Sequence, residues 1–144
     1  MTNVTFDYTG RTVIITGAAR GIGRELAKFF KAAGADTIAV DFDGEVLEAA
    51  VAGLGITAIS ADVSKTEDVQ RVVDTAIEIF GRIDVMVNNA GILRDNVIWK
   101  ITDEDWEAVL AVHAGGTFKF TRACVPHFRA QEYGRVINVT SYTG

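Results

Sequence analysis

The chain has 144 residues, 49% hydrophobic and 23% charged, with a formal net charge of −5. Surface scaling at 15.5 kDa gives roughly 7,200 Å² folded against roughly 22,500 Å² unfolded, enough burial for one domain with its own core. One Cys excludes an internal disulfide, two His exclude a zinc site, and a pI near 5.0 leaves no basic stripe for nucleic acid.

Residues 1–7 lack the basic and apolar regions of a signal peptide, and no apolar run is long enough for a bilayer. A metal-free cytoplasmic protein is the expectation. Thr12-Val13-Ile14-Ile15-Thr16 is a β-branched run that stops at a glycine turn, as a buried strand does. From Gly21 the period changes, placing Ile22, Leu26, Phe29, Phe30 and Ala33 on one helical face before a stop at Gly34. Residues 37–40 form a second strand ending at Asp41, 45–52 a short helix and 56–60 a third strand. Ser64-Lys65-Thr66-Glu67 has the form of a capping box. Val69, Val72, Val73, Ala76, Ile77 and Phe80 then mark a helix closed by Gly81, followed by a fourth strand at 83–87. Thr102 with Asp105 caps a helical stretch over 103–130, bent near Gly115-Gly116 or Pro126, and 135–140 is the fifth strand. Continuous apolar strands alternating with helices predict an α/β, doubly wound parallel sheet in the order 3-2-1-4-5.

Two features point to chemistry. Small residues in Thr16-Gly17-Ala18-Ala19-Arg20-Gly21-Ile22-Gly23 let backbone N–H groups approach a pyrophosphate at a helix N-terminus. Asp41, about 20 residues further on, suits the adenosine ribose hydroxyls and would repel a 2′-phosphate, favouring NAD over NADP. It also fits a solvated turn acid in Asp41-Phe42-Asp43-Gly44. Arg20 pulls the other way, since a guanidinium can pair with that phosphate.

The glycine loop, Asp62-Val63 after the third strand and Asn88-Asn89-Ala90-Gly91 after the fourth resemble the short-chain dehydrogenase/reductase family across the whole chain. The resemblance implies that Gly17, Arg20, Gly21, Ile22 and Gly23 hold the dinucleotide, with Asp62 and Val63 at its adenine. It also places Asn89, Ala90 and Gly91 beside the cofactor. Ser141, in Arg135-Val136-Ile137-Asn138-Val139-Thr140-Ser141, falls at the family's catalytic Ser; without the family, Thr140 is an equal candidate. His113 stands where the family usually has an Asn of a proton relay, and it can donate or accept in that place or simply bond within the core. A His there resembles the hydroxyacyl-CoA dehydrogenase branch, and Gly91-Ile92-Leu93-Arg94-Asp95-Asn96 resembles the 3-oxoacyl-carrier-protein reductase and 3-hydroxyacyl-CoA dehydrogenase branches. The implied substrate is a secondary alcohol or ketone, with acyl thioesters included, and the implied assembly is a homo-oligomer. Arg94 also reads as a surface charge paired with Asp95.

The family's acid–base pair is a Tyr with Lys four positions later. Tyr8 and Tyr133 are followed at that spacing by Thr12 and Ile137, and Tyr142 is too near the end. The expectation is an NAD-binding part, 1–144, inactive by itself, with an exposed apolar edge at Val136, Ile137 and Val139; a fragment of a longer enzyme or a truncated gene product is favoured over a half-domain completed by another chain. A non-catalytic nucleotide-binding or assembly module is the alternative. A Rossmann-like methyltransferase ranks last, because it leaves Asn88-Asn89-Ala90-Gly91 and Ser141 without a role.

Overall fold

In the computed structural model, which describes residues 3–141, the Thr12–Thr16 run is strand β1, buried at every position. It is followed by α1 (Gly21–Ala32), β2 (Asp36–Asp41), α2 (Gly44–Val51), β3 (Thr57–Ser60), α3 (Thr66–Phe80) and β4 (Val85–Asn88). A 3-10 turn at Ile98–Lys100 precedes α4 (Asp103–Leu110), a π-helical turn at Ala111–Gly115, α5 (Gly116–Gln131) and β5 (Arg135–Asn138). All strand pairs are parallel, in the order β3-β2-β1-β4-β5.

Alternation along the strands sorts side chains into two layers. Val13, Ile15, Ala39, Val85 and Val87 pack against Ala27 and Phe30 of α1 and Leu47 and Val51 of α2. Ile14, Ile38, Val40 and Met86 face Val69, Val72, Val73 and Ala76 of α3 and Phe120, Cys124 and Phe128 of α5. Burial pushes the Cys124 thiol up to about 12, so it is a core residue without thiolate character. Chain direction across the sheet reverses between β1 and β4, and the crevice at the C-terminal ends of these strands is where such sheets hold ligands.

The local differences from expectation have physical causes. The buried face of α1 is Gly23, Ala27 and Phe30, whereas Ile22 and Phe29 are exposed. Only small residues fit where α1 crosses the glycine loop: a Cβ on Gly23 would overlap Gly17 O. The capping box does not form, because Ser64 is already engaged: its N–H and hydroxyl both donate to Asp62 Oδ1, at 2.9 and 2.6 Å. Helix α3 therefore starts at Thr66 behind Lys65 without a side-chain cap, with Glu67 and Asp68 in its first turn. Gly81, at φ 76°, closes it.

Strand β4 begins two residues later than predicted because the Gln131 side-chain amide takes both backbone groups of Ile83, at 3.1 and 2.7 Å. Thr102 caps α4 as expected, accepting from Asp105 N at 3.1 Å. The long helical stretch breaks at the π turn, and Pro126 sits inside α5 without ending it. Strand β5 stops at Asn138 and is exposed along its length. The accessible surface, 8805 Å², exceeds the roughly 7,200 Å² expected of a compact chain of this mass. Val136, Ile137 and Val139 at β5, with Trp106 and Phe118 on α4 and α5, are among the apolar side chains left in solvent.

Candidate active site

The loops after β1, β2, β3 and β4 converge on one cavity of about 360 Å³. Gly17 comes from the first loop, Asp41 and Phe42 from the second, Ala61, Asp62, Val63 and Ser64 from the third. Ala90, Gly91, Ile92 and Arg94 form the wall after β4, and Ala108, Ala111 and Val112 close it from α4 and the π turn. A shallower depression along α1, lined by Ile22, Arg24 and Phe29 among others, is an open surface feature.

The glycine loop is built around Thr16. Its buried hydroxyl accepts from Asn89 N and Ala90 N, both at 3.0 Å, and lies 3.4 Å from Val87 O. The Asn89 amide returns the tie by donating to Thr16 O at 3.0 Å and Gly17 O at 3.3 Å. A Cβ on Gly17 would stand 2.9 Å from Ala90 Cα, and its φ of +66° suits glycine. Asn89 thus works beneath the loop, on its backbone. Helix α1 has no side-chain cap and no acidic residue in its first turn, whereas α2 and α4 are capped by Asp43 and Thr102. A Cβ on Gly21 would meet nothing within 4 Å, so the loop is open at that residue. Unblocked N–H groups, positive dipole and open backbone fit an anionic pyrophosphate.

At the tip of β2, Asp41 Oδ2 accepts from Ala19 N at 3.0 Å and Oδ1 from Asp43 N at 3.1 Å. Arg20 turns to Asp43, with Nη2 3.0 Å from Oδ2. The hydrogen bond from Arg20 lowers the Asp43 pKa below its ordinary value. After β3, Asp68 Oδ2 accepts from Asp62 N at 2.8 Å, which lowers the Asp68 pKa and fixes the loop carrying Val63. His113 stands on the π turn with Nε2 3.1 Å from Ile92 N and 2.9 Å from Ile92 O, so either tautomer bonds that backbone. Arg94 reaches Asp105 at 3.8 Å rather than pairing with Asp95.

Gly17, Asp41, Asp62, Val63, Ala90 and Gly91 are thereby brought to one cavity. Asn89 and Gly23 support it from behind, and His113 braces the wall at Ile92. Arg20, Gly21 and Ile22 lie on the solvent side of the loop, and Ile22 is not among the cavity residues. Ser141, exposed, follows β5 and is not part of this lining. Tyr142 lies outside the described residues. No sequence signal marks Thr16, which looks like any strand-end hydroxyl, or Ala111, whose place in the wall depends on the π turn.

A family model described as short chain dehydrogenase matches residues 11–144. The chain belongs to this family. Short-chain dehydrogenase relatives include the peroxisomal hydratase-dehydrogenase-epimerase of Neurospora crassa, 44% identical over 96% of this chain and 15% of that protein. The peroxisomal multifunctional enzyme type 2 of Drosophila melanogaster is 38% identical over 95% of this chain and 25% of its own length. The 3-oxoacyl-acyl-carrier-protein reductase FabG of Thermotoga maritima is 38% identical over 94% of this chain and 57% of its own. This chain therefore spans little more than half of the bacterial relative, and less of the others.

Proposed function

We propose that this short-chain dehydrogenase chain binds NAD(H) in the cavity at the β1–β4 switch point and serves the interconversion of a secondary alcohol and a ketone. A 3-hydroxyacyl or 3-oxoacyl thioester is the substrate class, in keeping with the name of the 3-oxoacyl-acyl-carrier-protein reductase relative. The observation that carries the reading is the loop cradle: Gly17 and Gly23 leave no room for side chains, and Thr16 and Asn89 fix their backbone. When bound, NADH would supply the hydride to the ketone and NAD+ would accept it from the alcohol. The N–H groups at the start of α1 hold its pyrophosphate, Asp41 accepts from the adenosine ribose, and Asp62 and Val63 border the adenine. Ser141 donates from its hydroxyl to the substrate oxygen and stabilises charge developing there. His113 holds the Ile92 wall and takes the place of the family's relay Asn.

The compartment is aqueous, with the cytoplasm the simplest choice; none of the described helices is long and apolar enough to cross a membrane. Exposed Trp106, Leu110 and Phe118 on α4 and α5 support a homo-oligomer through these helices.

Tyr8 and Tyr133 are followed four positions on by Thr12 and Ile137, so neither supplies the family's Tyr–Lys pair, and these 144 residues are assigned dinucleotide binding. NADH absorbance followed with acetoacetyl-CoA tests this division. The expected result is NADH binding with no turnover by the 144 residues; turnover that survives Ser141→Ala would contradict both assignments.

A further inference from the structure

Arg20 is the one charged residue between Gly17 and Gly23, and in the structure its guanidinium is engaged. We propose that Asp43 is a specificity-determining residue: by neutralising Arg20 in an ion pair, it withholds the loop's cation from a 2′-phosphate and so strengthens discrimination against NADP. The inference rests on the dinucleotide reading above but adds a residue that neither the glycine pattern nor the acid at the end of β2 contains.

Three observations carry it. First, the pair is short, 3.0 Å between Arg20 Nη2 and Asp43 Oδ2. Second, the carboxylate is fixed independently of Arg20. Asp43 Oδ1 accepts from Val46 N at 3.3 Å as the cap of α2, and Asp43 N donates to Asp41 Oδ1. An ion pair with one partner held in place loses less side-chain freedom on forming than one between two mobile chains. Third, Asp41 and Asp43 together outnumber Arg20, leaving a net charge of −1 at the end of β2 beside the cavity. A phosphate dianion there would meet one carboxylate and an occupied guanidinium. The effect of Arg20 on the Asp43 carboxyl, held below the ordinary carboxylate range, agrees with this pairing.

The pair is exposed, 65% for Arg20 and 41% for Asp43, so it can be broken without disturbing the core. Asn is as good a cap as Asp, so Asp43→Asn removes the charge while keeping the start of α2. Both dinucleotides would be titrated calorimetrically at low ionic strength into the wild-type chain, Asp43→Asn, Arg20→Gln and the double variant, with thermal unfolding as a folding control. Freeing a guanidinium from an exposed pair corresponds to about a fivefold gain at most, so Asp43→Asn should tighten NADP about threefold to fivefold. NAD affinity should stay within about twofold, and Arg20→Gln in the Asp43→Asn background should erase the gain.

An unchanged NADP-to-NAD ratio in Asp43→Asn would overturn the inference. A gain that persists in the double variant would overturn it too, because charge removal alone would then be the cause. Wild-type preference for NADP would overturn the NAD assignment instead, and the Asp43→Asn ratio would still decide the role of Asp43. Failure of every variant to bind either dinucleotide would overturn both.

Discussion

At the scale of single residues, the most demanding position is Asp84. Its side chain is fully buried, yet charged, and it is satisfied from three directions. Arg82 donates through Nε and Nη2 at 2.7 and 2.6 Å, Arg11 through Nη1 at 3.0 Å and Thr12 through its backbone N at 2.9 Å. Burial acts to raise the carboxyl, but these hydrogen bonds outweigh it and hold the pKa below its ordinary 3.8. A depressed folded pKa means that stability is present above the unfolded value and is lost as pH falls through the folded one. Asp84→Asn should therefore cost about 3 kcal/mol near neutrality, and the gap to wild type should close as pH drops below about 4. Urea unfolding across that range checks it; a gap independent of pH would remove charge from the account. Single residues were unevenly legible. Gly17, Asp41 and Asn89 carry their chemistry in residue type and spacing, but Thr16 matters through partners some 70 residues away, and Asp84 is completed by Arg11 and Thr12 at that separation as well as by neighbouring Arg82. Arg20 was legible as a cation, but its neutralisation by Asp43 was not.

At the scale of elements, the π turn decides the shape of the cavity wall. An α-helix continued through 111–115 would follow the ordinary period; the observed turn brings Gly116 so close to β3's loop that a Cβ would stand 2.8 Å from Val63 Cγ2. It also presents His113 to Ile92, and a Cβ on Gly91 would lie 2.6 Å from His113 Cε1. This packing ties α4 and α5 to the loops after β3 and β4. His113→Ala removes the partner of the Ile92 amide, so that amide should exchange hydrogen at least about tenfold faster, while amides of β1 stay protected. Equal protection in the variant would show that the wall does not depend on His113. Regular elements were readable because their periods are strict: the α3 face of Val69, Val72, Val73 and Ala76 is the buried one. The expected interruption near Gly115-Gly116 is there, but its π geometry, the engaged Ser64 and the Gln131 clamp on Ile83 were not readable, because they are irregular features decided by tertiary contacts.

At the scale of the molecule, β-branched strands and a single crossover hand narrow the possible strand orders to a few, and the expected 3-2-1-4-5 is the order found. That order places the chain reversal between β1 and β4, and the strongest motifs lie on the loops leaving those two strands. The glycine loop and the Asn88–Gly91 segment are joined by Thr16 and Asn89 into one structure, so the proposed cofactor site rests on the sheet as much as on the motifs. The central claim is that this site takes NAD and that Asp41 selects it. Calorimetric titration of NAD and NADP into the wild-type chain and Asp41→Ala tests it most directly. The account predicts saturable 1:1 NAD binding, tighter than NADP, with Asp41→Ala weakening NAD more. No NAD binding, or equal weakening of both dinucleotides, would contradict it.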